Sequence, residues 1–209
     1  MNLSVGKSWK VVTKDSYDNH AEEFASFASI CRGKMRKWIE YFSSQFAKNA
    51  LILDMGCGAG RDALYFANKG LSVTGIDFSE RLIEIAKKKV KSGKFLVMDF
   101  ENLSFPENSF DGIWANASIY HIPRENLPDV YKNIYLVLKK GGLFFSTYRV
   151  GQGEMFTKEK RGEAILERFA AYYNSAEIKN LLNKTGFKNI EFESDLIETG
   201  PWVRFLARK

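Results

Sequence analysis

Residues 51–70 read LILDMGCGAGRDALYFANKG. The apolar run Leu51–Leu53 suits a buried strand. From Arg61 onward, apolar residues recur at helical spacing until Gly70, the residue type that most often closes a helix. Gly56, Gly58 and Gly60 lie between the two. A strand that breaks into glycines and restarts as a helix brings backbone N–H groups close to a ligand at the carboxyl edge of a sheet. The spacing here is G-x-G-x-G, whereas a dinucleotide loop reads G-x-G-x-x-G, and its third glycine would fall on Arg61. No Lys-Ser or Lys-Thr pair follows, so the loop is not a P-loop. Asp54, two residues before the first glycine, would repel a pyrophosphate and favour a ligand bearing an ammonium or sulfonium.

The same alternation extends along the chain. LSVTGID (71–77), KFLVMDF (94–100), FDGIWANA (110–117) and GLFFSTYR (142–149) read as short buried strands. SERLIEIAKKKVK (79–91), with Ser79 as N-cap, and RENLPDVYKNIYLVLKKGG (124–142), ending on Gly141, read as helices. Such a pattern implies right-handed βαβ units and a parallel sheet covered by helices on both faces. NSAEIKNLLNKTG (174–186) is a further helix, capped by Asn174 or Ser175 and closed by Gly186. FKNIEFESDL and PWVRFLARK, joined by IETG (197–200), read as an antiparallel pair. Two amphipathic segments, YDNHAEEFASFASI (17–30) and MRKWIEYFSSQFAK (35–48), precede the first strand.

Asp77 ends the second strand, where a carboxylate can accept from two ribose hydroxyls. Asp99 ends the third, where it can take the exocyclic amine of adenine. Phe78 and Phe100 follow these acids and offer apolar surface for a base. Acids at three strand ends beside a glycine loop describe an adenosine carrying an amino acid rather than a phosphate. Cys57 reads as a small residue fitting a tight loop, since nothing nearby would lower its pKa. Arg61 either pairs with a ligand carboxylate or begins the helix as a solvated residue.

Composition narrows the class. With 209 residues, 45% hydrophobic and 27% charged, the chain suits one soluble domain. It has no apolar stretch of membrane-spanning length and no signal-peptide core, so no membrane partner is expected. Two cysteines are no disulfide framework, and a cytoplasmic location is expected. Two histidines, His20 and His121, and no C-x-x-C give no metal-ligand cluster, so no metal is expected. The net charge of +6 comes partly from KKKVKSGK (87–94) and RGKMRK (32–37). Lysines in the last turn of a helix suit its dipole and solvent, though they also leave a nucleic-acid surface open.

At this point the chain resembles the class I S-adenosylmethionine-dependent methyltransferases. Residues 52–89 resemble their first two motifs, MDFENLSFPENSFDGIWANASIYHI (98–122) the next two, and LKKGGLFFSTYR (138–149) the fifth strand after its turn. The resemblance runs from about Tyr17 to the C-terminus. It implies a Rossmann-like seven-stranded sheet, mostly parallel with an antiparallel last strand. Asp54 and the loop residues Gly56, Cys57, Gly58, Gly60 and Arg61 would hold the methionine end, Asp77 and Phe78 the ribose side, and Asp99 with Phe100 the adenine. Tyr17, in a YD…A…F segment with Asp18, Ala21 and Phe24, would lie near the methionine end, and Asn116 would border the cofactor. It also implies a single domain, with residues 1–48 a helical cap or lid and 49–209 the core. Within that core a substrate-cover insertion spans about 149–173, and the chain would be a monomer or weak dimer.

The acceptor is less defined. NASIYHIP (116–123) lacks the [ND]PP[YF] motif of adenine and glutamine methyltransferases and the Pro-Cys of cytosine C5 enzymes. His121 reads either as a general base or as a loop residue bonded to backbone. Aromatic residues in the cover segment suggest a small, partly apolar acceptor. The alternatives are a tRNA or rRNA methyltransferase using the basic surface, and a protein that binds S-adenosylmethionine without catalysis.

Overall fold

The computed structural model describes residues 8–27, 34–197 and 200–209. The apolar runs become five parallel strands: β1 (Leu51–Met55), β2 (Ser72–Asp77), β3 (Lys94–Val97), β4 (Phe110–Ala115) and β5 (Leu138–Val150). Their order is β3-β2-β1-β4-β5. The chain therefore reverses its direction of build at the edge between β1 and β4, where open α/β sheets bind ligands. The connecting helices are α4 (Arg61–Asn68), α5 (Glu80–Lys89) and α6 (Leu127–Val137), with α1 (Trp9–Asn19), α2 (Ala21–Phe27) and α3 (Lys34–Ser44) ahead of β1.

The expected caps form. Ser79 accepts from the Leu82 N–H, Asn174 makes a capping box with Glu177 at the head of α7 (Ser175–Thr185), and Gly186 closes that helix at φ 114°. Helix α6 ends earlier than its sequence implies. It stops at Val137, and Leu138 turns extended to lie opposite Phe110, so Gly141 lies within β5 rather than at a helix end. Strand partners outweigh helix propensity there: the Gly141 N–H donates to the Lys209 carbonyl at 2.9 Å.

Among the described residues the sheet has nine strands, not seven. The two extra are β6 (Glu154–Arg161) and β7 (Ala164–Tyr173), an antiparallel hairpin in the segment read as substrate cover. The end of β7 pairs parallel with Arg149 and Val150 of β5, which joins the hairpin to the sheet. Along the rest of β5 runs β9 (Gly200–Arg208), antiparallel and flanked by β8 (Lys188–Ile197). The N-terminal part also differs. Instead of one helix over 17–30, α1 starts at Trp9 and α2 follows the break at His20. Residues 28–30 of that expected helix, Cys31, Arg32 and Gly33, and the tip of the 197–200 turn, lie outside the described residues.

Two apolar layers cover the sheet. On one face Ile39 and Phe42 of α3, Phe66 of α4 and Ile83 of α5 meet Ile52, Trp114 and Phe145. On the other, Val130 and Ile134 of α6 and Leu182 of α7 meet Leu53, Ile113 and Phe144. Trp114 stacks on Phe145 at 3.9 Å between ring centroids, and its Nε1 donates to Asp62 at 2.9 Å. Trp114→Phe removes that donor and leaves a small void. It should lower unfolding free energy by about 1–2 kcal/mol, read as a shifted denaturant midpoint at constant slope. Among the described residues no helix is long and apolar enough to cross a membrane.

Candidate active site

The glycines after β1 are each forced by backbone geometry. Gly56, Gly58 and Gly60 adopt φ of 76°, 50° and 77°, the left-handed region that other residues enter at a cost. At Gly56 a Cβ would also lie 2.3 Å from Ser118 Cβ. The Gly56 and Cys57 N–H groups both donate to the Ile76 carbonyl, which ties the loop to β2. Beside the loop is a cleft of about 970 Å³, its mouth included. All but one of the sequence-assigned residues line it: Tyr17, Asp54, Gly56, Cys57, Gly58, Arg61, Asp77, Phe78, Asp99, Phe100, Asn116 and His121. The exception is Gly60, which packs against Ala86 of α5 and Val90 just beyond it and shapes the turn from behind.

The acids differ in state. Asp54 is 2% exposed and its Oδ2 is buried without a partner. Burial, reinforced by Asp62 and Asp77, pushes its carboxyl well above the usual range. An orphaned carboxyl facing a cleft suits a cationic ligand group. Asp77 is also buried, with Oδ2 accepting from the Gly58 N–H and Oδ1 from the Ser79 N–H, each at 3.0 Å. It therefore braces the loop in addition to facing the cleft, and it sits in the interior rather than at an open strand end. Burial raises it to about 6. Asp99 is more open, and its Oδ2 pairs with Lys10 of α1 at 2.5 Å.

The raised Asp77 carboxyl has a measurable consequence. A ligand whose hydroxyls donate to it favours the ionised form, so affinity falls as pH drops through about 6. At pH 5 only about a tenth of such a group is ionised. S-adenosylhomocysteine should accordingly bind about tenfold more weakly at pH 5 than at pH 7.5 by calorimetry. A flat profile would mean that Asp77 does not take the ribose.

Asp62 escaped the sequence reading. It lies in the first turn of α4, 5% exposed, and accepts from Arg61 Nε and Nη2, Trp114 Nε1 and Asn116 Nδ2. Burial alone would raise its carboxyl, but Arg61, with Asn116 and Trp114, holds it below the ordinary range. Arg61 thus forks onto Asp62 while lining the cleft. The Cys57 thiol is pushed up by burial and by Asp54 and Asp77, so it is a packing residue.

At the far end of the cleft, His121 sits in a single 3-10 turn, Ile119–His121. Its Nδ1 lies 2.5 Å from the Phe169 carbonyl and its Nε2 3.1 Å from the Tyr17 hydroxyl. A carbonyl only accepts, so Nδ1 carries the hydrogen and Nε2 accepts from Tyr17. The Tyr17 oxygen in turn accepts from Arg168 Nη1 at 2.7 Å. Burial lowers His121 to about 3, with Arg168 and Arg149 adding to the effect, so the imidazole is neutral. Arg168, like Asp62, had no local sequence signal. Helix α1 is held there by Thr13, which accepts from the Phe169 N–H, and by Asp18, which accepts from Ser79 Oγ.

The methyltransferase-domain family matches residues 52–142. The chain is 33% identical to phosphoethanolamine N-methyltransferase 2 of Caenorhabditis elegans over 71% of its own length and 35% of that protein's. It is 32% identical to the demethylmenaquinone methyltransferase of Symbiobacterium thermophilum over 63% of its own length and 56% of that one's. It therefore spans about a third to a little over half of these relatives. Its whole length superposes on 92% of the 1,6-didemethyltoxoflavin-N1-methyltransferase of Burkholderia thailandensis, with a TM-score of 0.74 and 19% identity. A glycine loop of left-handed residues, an orphaned carboxyl beside it and these likenesses agree: residues 52–142 carry a methyltransferase domain, on the fold of the S-adenosylmethionine-dependent methyltransferases.

Proposed function

We propose that the chain is a methyltransferase that moves the methyl group of S-adenosylmethionine to a small-molecule acceptor. The observation that carries this is the continuity of the cleft, from Asp99 past the orphaned Asp54 to Tyr17 and His121. Bound there, S-adenosylmethionine would supply a methyl on a sulfonium, ready for transfer to an acceptor lone pair with the carbon–sulfur pair left on sulfur. Asp54 would hold the ammonium, Asp77 the ribose hydroxyls and Asp99, once released by Lys10, the adenine amine, with Phe78 and Phe100 beside the base.

Tyr17 and His121 close the transfer end. Helix α1 and the β6–β7 hairpin pack over this end, excluding water and holding the acceptor in line, an alignment worth several kcal/mol. If the acceptor atom carries a proton, the Tyr17 oxygen receives it as the Tyr17 hydrogen passes to His121 Nε2. The enclosed transfer end suits a small acceptor better than a polynucleotide. Incubation of the purified chain with isotopically labelled S-adenosylmethionine and a metabolite extract should label a low-mass product. Bound cofactor with no label transferred to any fraction would leave a binding protein rather than an enzyme.

A further inference from the structure

Behind Tyr17 and His121 lies a charge arrangement that methyl transfer does not itself require. Arg149, near the end of β5, places Nη2 3.1 Å from both oxygens of Glu159 on β6. Arg168 of β7 pairs its own Nη2 with the same carboxylate. The Arg168 side chain is 3% exposed and that of Arg149 11%. The Nε of each is buried without a hydrogen-bond partner. Their guanidinium groups lie over rings, Arg149 over Tyr120 and Trp202, Arg168 over Tyr17. Two buried cations therefore converge on one carboxylate, and burial of unmatched charge is costly unless an anion completes it.

The members of this cluster are held unequally. Arg149 and Arg168 stand on strands inside the sheet, whereas Glu159 stands on β6, its outermost strand. Two fixed guanidiniums converging on one point are a fork for an oxyanion. Their position is also apt: Arg168 is one hydrogen bond from the hydroxyl of Tyr17, a residue that lines the cleft.

We propose that Arg149 and Arg168 form the acceptor-recognition subsite, and that the acceptor carries a carboxylate or phosphate that takes the place of Glu159. The word acceptor rests on the methyltransferase reading; the anion site itself does not.

The test uses the whole chain saturated with S-adenosylhomocysteine, titrated by calorimetry at pH 7.5 and constant ionic strength with inorganic phosphate and, separately, acetate. Glu159→Gln keeps the shape of the side chain but vacates the anion position. It should bind one of the two probes at least tenfold more tightly than the unaltered protein, and the probe that gains identifies phosphate or carboxylate as the group. Adding Arg149→Gln to that variant should remove the gain. Should Glu159→Gln not fold, Glu159→Ala, which also removes the carboxylate, provides the same comparison. Equal binding of both probes by the altered and unaltered proteins would overturn the subsite. Failure to bind S-adenosylhomocysteine would strike the methyltransferase reading instead, and the anion titration without it still decides the subsite.

Discussion

Gly56→Ala should weaken S-adenosylhomocysteine binding by about 100-fold or more while the chain still folds. Two costs add at this position. The backbone is held at φ 76°, where a Cβ is strained by about 1 kcal/mol. The added carbon would also meet Ser118 Cβ at 2.3 Å, and Ser118 is anchored by its hydroxyl to the Met55 carbonyl at 2.7 Å. The loop therefore has to move, at a cost of about 1–3 kcal/mol for overpacking. Moving it takes the Gly58 N–H off Asp77 and disturbs the surroundings of Asp54. Calorimetry with the variant checks the affinity, and its circular dichroism checks the fold. Affinity within about threefold of the original protein would show that the loop does not contact the ligand.

The second large effect concerns turnover. Tyr17→Phe and His121→Gln should each lower the rate of methyl transfer by about 10²-fold, with cofactor affinity nearly unchanged. The two residues share one hydrogen bond, at 3.1 Å, so they act as a unit. The double variant should therefore be no slower than the worse single one. If the acceptor presents no proton, both losses shrink to less than about threefold, and His121 is then the backbone-bonded structural residue. That outcome would falsify the proton path while leaving the in-line transfer intact.

The loop and its acids were legible in the chain because their causes are local. Left-handed backbone selects glycine at 56, 58 and 60, strand ends place Asp54 and Asp77, and caps such as Ser79 and Asn174 act within one helical turn. Alternating periodicity likewise implied the parallel sheet and the closing antiparallel pair. What escaped the reading depends on partners remote in sequence. Helix α1 carries little apolar surface, yet it is held by Thr13 on Phe169, Asp18 on Ser79 and Tyr17 on Arg168. The segment of β6 and β7 is expected only as a substrate cover, and the charged residues that dominate GEMFTKEKRGE give no strand pattern. Its strands form because each finds backbone partners, eight residue pairs with each other and two on β5. Nothing local marks Asp62 among first-turn acids: its setting comes from Trp114 and Asn116, more than 50 residues away. Arg149, Arg168 and Glu159 have no shared spacing at all. Their meeting is set by β5, β7 and β6 lying side by side in the sheet, and the order of residues along one strand holds no record of that.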